Sequence, residues 1–448
     1  MFALLFIIIS ICNASMLDVD RPWTDQIKFS ESSYGNDEPN TKKTEMDILR
    51  DILKDPDNLI SSTFKIPKGL SDRVFFWSQI YAIYPLSTVL VHDKDDLSIV
   101  YRVISASDIV YNKKWNSVSR ELKFRKKVAE EKDNVKKILK KIASVKGIKY
   151  FIPKTKDEKV IAKIIKSRMS NEESKFAFEN VRTQSGQKDS VIKGLTVSSK
   201  YLPIIEDIFK ENNLPWELTR IPFVESSFEI RAGSKVGAKG IWQIMDNTGK
   251  KFMETDASYD ERYSPFKASA VAAELFKENY KILGTWPLAI TAYNHGPGGL
   301  KNASKKLKTK DISKIIAEYD TTRFGFASQN FYSEFLAALY VTVYSDRLFG
   351  PIEKEHAMNF SYVTIEKEMD IDSLSKISGL NVSEIHNYNP EFSKKMMSGS
   401  LKIKKGSRIK LPPRASYKVE DYFIKSEDKN DFEKKLNSSG GVNVSLVN

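Results

Sequence analysis

Between Gly194 and Tyr344 apolar positions recur at helical spacing over 199–212, 216–225, 264–283, 286–294 and 328–344, and each stretch predicts a helix. Pro203, Pro215, Pro265 and Pro287 stand near helix starts, where a missing N–H costs little. Gly233, Gly237 and Gly240 fall between helices and mark a tight connecting loop. Upstream, the apolar runs 88–92 and 97–104 flank the turn-forming Asp93-Lys-Asp-Asp96 and predict a β-hairpin, with His92 as a surface or capping residue beside the turn. From Trp115 to Arg168 the chain is dense in Lys, with Val128, Val135, Ile138, Leu139 and Ile142 at roughly helical spacing, so basic amphipathic helices are expected. Downstream, 362–365, 371–379, 382–388 and 405–412 read as strand, helix, helix, strand.

These elements predict a predominantly α, α+β protein of several modules. They comprise an N-terminal α+β module (45–112), a basic helical region (113–190), a helical domain (194–350), a small βααβ module (360–413) and a flexible polar tail (414–448). The short apolar run from Phe2 to Ile11, followed by the small residues around Ala14, reads as a signal peptide at 1–14, which implies export to the periplasm or cell envelope. Cys12 is the sole cysteine, so no disulfide framework forms within one chain; its two readings are a lipid anchor, giving outer-membrane association, or loss with the leader. A formal net charge of +13 calls for an anionic partner. The lysines lack the aromatic interleaving and motif context of a nucleic-acid surface, which leaves an acidic polymer or a membrane surface.

Candidate chemistry concentrates in the helical domain. Phe223-Val-Glu-Ser-Ser-Phe228 places the carboxylate of Glu225 in an apolar run, where loss of hydration keeps it protonated near neutrality, as a general acid requires. Gly237-Ala-Lys-Gly-Ile-Trp-Gln243 offers Gln243 as a two-sided hydrogen-bonding group and Trp242 as either core or stacking platform. Ala292-Tyr-Asn-His-Gly296 ends a helix with Tyr293 and Asn294, which without further context are a core aromatic and a C-terminal cap. His295 reads as an exposed helix-end residue. Four scattered histidines and one cysteine give no metal-ligand spacing, and no phosphate-cradling loop is present, so neither metal nor cofactor is expected.

Taken with Asn330-Phe-Tyr332 and Glu334-Phe-Leu-Ala337, these motifs make Gly194 to Tyr344 resemble the catalytic domain of bacterial lytic transglycosylases, in the family's motif order. The resemblance implies a goose-type, lysozyme-like helical fold. It also implies that Glu225 is the single acid/base and that Ser226 orients the acid or the sugar's acetamido group. Gln243 and Asn294 would then contact substrate, Tyr293 the acid, and Tyr332 would hold the glutamate. Residues 360–413 resemble a LysM module through Asn389-Pro390 and the closing Gly406-Ser-Arg-Ile-Lys-Leu-Pro412, although Glu368-Met-Asp-Ile371 replaces the usual Gly-Asp-Thr-Leu. The expected partner is peptidoglycan, bound by a monomer. Two rivals stay open: a lysozyme-type hydrolase in which Glu229 or Asp246 positions water, and a non-catalytic wall-binding protein.

Overall fold

A computed structural model describes residues 44–438, with side chains up to residue 426. The expected leader, Cys12 and the last ten residues of the tail lie outside this range. The chain adopts the predominantly helical α+β class expected. Strands β1 (Thr88–Asp93), β2 (Val100–Ser105) and β3 (Val181–Ser185) form an antiparallel sheet in the order β2-β1-β3. β4 (Ser361–Thr364) pairs antiparallel with β5 (Arg408–Leu411) around the helices Ile371–Ser378 and Val382–Tyr388, in the strand-helix-helix-strand order predicted.

Three hydrophobic cores organise the described residues, and their borders differ from those read off the sequence. The first joins the helix Ser71–Ala82 to the helices of 188–344, so residues 45–82 belong with the helical domain. Trp77 and Phe76 of that helix are buried, and Trp77 donates through Nε1 to Asn330 Oδ1 at 3.2 Å, across 253 residues of sequence. No local periodicity could announce that pairing. The second core lies on the other face of the sheet, beneath the basic helices Ser117–Ala143 and Lys156–Arg168. All of β1 is buried, because alternate side chains enter opposite cores: Leu90 the first, Val89 and Val91 the second. His92 shares the parity of Leu90, and is buried against Phe76 and Phe326 rather than lying at the surface.

The third core fills the βααβ module, where Asn389 is fully buried and links helix to strand through Nδ2 to the Lys410 carbonyl, with the Lys410 N–H returning to Oδ1, both at 2.8 Å. The expected flexible tail is corrected here. Pro413–Ser438 is a helix, and Ala415, Val419 and Phe423, four residues apart, bury one stripe of it in the module core. Among the described residues no helix is long and apolar enough to cross a membrane.

Candidate active site

Glu225 sits on the short helix Ile221–Ser226, opened by Pro222 in its first turn. Two consecutive left-handed residues, Ser227 (φ 49) and Phe228 (φ 62), then turn the chain sharply. Such conformations are costly outside glycine and survive only where packing imposes them. Here Phe228 is buried against Phe223, with ring centres 5.4 Å apart. Gly194 completes the constraint: a Cβ there would lie 2.4 Å from the Ser227 carbonyl oxygen, so only glycine lets the neighbouring helix approach.

The result is a carboxyl group that is 9% exposed and has no hydrogen-bonding partner among the described residues. Burial, and then the negative charge of Glu334, push its pKa up to about 8. Glu334 rises from the long helix Phe326–Val343, is 7% exposed, and is itself pushed up to about 8 by burial, against the opposing influence of Arg182 on β3. Sequence reasoning gave Glu334 no role. The signal was available, since a lone carboxylate in a helix apolar on all sides is rarely incidental.

The loop 237–244 forms the neighbouring wall, closed by reciprocal backbone bonds between Lys239 and Ile244 at 3.1 and 3.0 Å. Gly240 (φ 74) lies so close to the Arg262 carbonyl that a Cβ would be 1.8 Å from its oxygen. Ser226 Oγ donates to the Ile241 carbonyl at 2.9 Å, so it fastens the acid's helix to this loop instead of touching the carboxyl group. Trp242 is wholly buried, stacked on Phe209 and donating to Ser269 Oγ at 2.8 Å; it is core, not a sugar platform. Gln243, left-handed at φ 46, donates through Nε2 to the Gly240 carbonyl at 2.8 Å while its buried Oε1 has no partner among the described residues.

Tyr293 donates to the Trp242 carbonyl at 2.8 Å and stacks on Phe276. Burial, and secondarily the charge of Glu225, hold its hydroxyl well above the usual tyrosine range, so it remains a donor. Asn294 Oδ1 accepts from Ser328 Oγ at 2.9 Å, and His295, half-buried, lies 3.2 Å from the same hydroxyl. No hydrogen bond or ring contact ties Tyr332 to Glu225 among the described residues. Tyr332 is buried against Phe335 and near Tyr340, while Phe331, one residue earlier, stacks on Tyr293 at 6.4 Å. One residue on a helix is a turn of about 100°, which is enough to point the wrong ring at the site.

The two carboxylates considered for a water-activating role are elsewhere engaged. Glu229 is half-buried and paired with Lys193 at 2.9 Å; Asp246 pairs with Lys250 at 2.6 Å and lies 3.5 Å from Arg262.

A helical domain with one apolar-walled acid, a glycine-shaped loop against it and tyrosine and amide groups around it defines a class. Residues 203–316, about a quarter of the chain, match the family described as transglycosylase SLT domain. The matched segment holds Glu225, Ser226, Gln243, Tyr293 and Asn294 and ends before Phe331 and Glu334. Among individual proteins, the chain is 34% identical over 115 residues to the membrane-bound lytic murein transglycosylase D of Escherichia coli strain K12, and equally to that of Escherichia coli O6:H1. Each match covers 25% of this chain and 25% of the relative, so the chain aligns with about a quarter of the length of the curated relatives it matches.

Proposed function

We propose that this protein is an exported peptidoglycan lytic transglycosylase of the cell envelope. Its reaction would cleave the β-1,4 bond between N-acetylmuramic acid and N-acetylglucosamine and leave a 1,6-anhydro end. The observation that carries this reading is the carboxyl group of Glu225, protonated near neutrality because it is buried without a partner. Glu225 gives its proton to the glycosidic oxygen as the C1–O bond breaks. The resulting carboxylate takes the proton of the sugar's C6 hydroxyl as that oxygen bonds to C1. The acid is thereby regenerated and no water is consumed.

Gln243 Oε1 is a buried acceptor with no partner among the described residues, available to a sugar hydroxyl or acetamido N–H. Ser226 and Tyr293 hold the loop through its Ile241 and Trp242 carbonyls, and Asn294 lies at the C-terminal end of its helix. The hydrolase alternative needs an ionised second carboxylate to activate water. Glu229 and Asp246 are held by Lys and Arg side chains, and Glu334 is kept protonated at neutral pH, which disfavours that alternative. The βααβ module is read as LysM-like. Digestion of purified peptidoglycan in heavy-oxygen water separates the two reactions: products free of the label support the transglycosylase, and one labelled oxygen per cut contradicts it.

A further inference from the structure

A wall-binding module needs no rigid tie to a catalytic domain, yet here the two share residues. Tyr259 belongs to the SLT domain and is buried in the core of the βααβ module, with its ring 5.5 Å from that of Phe392 and its hydroxyl 3.0 Å from Ser407 Oγ. The main chains are also joined: Asp260 N–H donates to the Glu391 carbonyl at 2.8 Å and Ser393 N–H to the Ser258 carbonyl at 2.9 Å. Lys404 reaches Asp256 at 3.3 Å. Residues 258–260 thus pair with the module through an isolated antiparallel bridge at Tyr259 and Phe392 while belonging to the SLT domain.

From this joint, direct contacts run to the acid. The Asp260 carboxylate accepts from Arg262 Nε and Nη2 at 2.8 and 2.9 Å and from Lys239 Nζ at 2.8 Å. Arg262 in turn donates through Nη1 to the Gly237 carbonyl at 3.0 Å, and its own carbonyl is the surface against which Gly240 is packed. Lys239, Gly237 and Gly240 belong to the loop whose Ile241 and Trp242 carbonyls receive Ser226 and Tyr293. A second contact crosses directly: His386 of the module's helix Val382–Tyr388 meets Arg231, in the turn just after Glu225. Ala232, next in sequence, accepts the Gly240 N–H at 2.9 Å, which closes the frame.

We propose that the C-terminal module braces the active-site loop, and that Tyr259, Asp260 and Arg262 are positioning residues through which it holds the groups around Glu225 in reactive geometry. This rests on the transglycosylase reading for its kinetic consequence and on the contacts alone for its structural one. The module then contributes to turnover and not only to retention on the wall.

The test uses the full chain carrying Tyr259→Ala, Asp260→Asn or Tyr259→Phe. The probes are a soluble, uncross-linked glycan fragment short enough to occupy the cleft by itself, and amide exchange of 237–244. Tyr259→Ala and Asp260→Asn are expected to lower kcat about tenfold with KM little changed, in keeping with the steep cost of small misplacements. Exchange in the loop should speed up in both. Tyr259→Phe, which keeps the ring, should restore most of both readouts. Faster exchange across the module with unchanged kcat and unchanged exchange in 237–244 overturns the proposal. If the wild-type protein itself releases no anhydro product, the functional reading fails, and the brace stands or falls on loop exchange alone; Asp260→Asn, which leaves the module core untouched, covers the case in which Tyr259→Ala does not fold.

Discussion

Asp55 and Glu225 are hidden from solvent to a similar degree, 5% and 9% exposed, and both belong to the first core's surroundings, yet their chemistry is opposite. Burial alone would push the Asp55 carboxyl up, but hydrogen bonds from Lys65 and Tyr344 and from the Leu59 and Ile60 N–H groups outweigh it and hold it below its ordinary value. Around Glu225 no such bonds offset burial, and Glu334 adds repulsion only as the two carboxyl groups begin to ionise near pH 8, so the proton stays at neutrality. A buried acid with partners is a structural tie between residues 55 and 344; a buried acid without them is, in the function proposed, the reagent. Concealment therefore does not mark the site; concealment without compensation does.

The largest expected effect tests the reagent. Glu225→Gln keeps shape and removes the proton, so kcat should fall by about 10³-fold or more, measured as release of soluble muropeptides. The same variant should be more stable than wild type. Between the ordinary carboxylate range and about pH 8 folded Glu225 retains a proton that the unfolded chain has lost, so its contribution to stability falls as pH rises through that window. Glutamine escapes this, by about 2 kcal/mol at pH 7–8 in denaturant titrations. Wild-type activity should decline above about pH 8 as the acid ionises.

Asp55→Asn tests the tie and should do the reverse, costing about 3 kcal/mol of stability with little change in kcat at a permissive temperature. Because the Asp55 pKa is lowered in the fold, its contribution is complete above the ordinary carboxylate pKa and is lost as pH falls through the depressed value. Acid denaturation midpoints should accordingly differ less between wild type and variant than midpoints at pH 7. Glu334→Gln sharpens the comparison by removing the repulsion and leaving the burial. The alkaline limb of the kcat profile should move to lower pH, by less than a full return to the ordinary carboxylate range, because burial is the larger cause. Smallest of all, Tyr332→Phe should leave kcat within about twofold, since that ring packs on Phe335 and its hydroxyl makes no hydrogen bond to Glu225 among the described residues.

How much of this was legible in the sequence follows from the range of the forces involved. The hairpin, the long helices of the SLT domain and the strand-helix-helix-strand order depend on local spacing and were readable, as was Glu225 in its apolar run. Tyr332 was misplaced by one residue because the motif gives order but not helical phase, and Phe331 took the position beside Tyr293. The burial of His92, the union of 45–82 with the SLT core and the docking of Tyr259 in the C-terminal module all depend on contacts between distant segments. The helix after Pro413 was hidden because its inward stripe is short: among the residues with described side chains, Ala415, Val419 and Phe423 enter the module core while Tyr417, Tyr422 and Ile424 are exposed.

The most direct test of the central claim is mass spectrometry of the muropeptides released from purified peptidoglycan by the wild-type protein and by Glu225→Gln. Anhydro-muramyl products from the wild type and none from the variant are the predicted result; reducing-end products from the wild type, or undiminished release by the variant, would contradict the account.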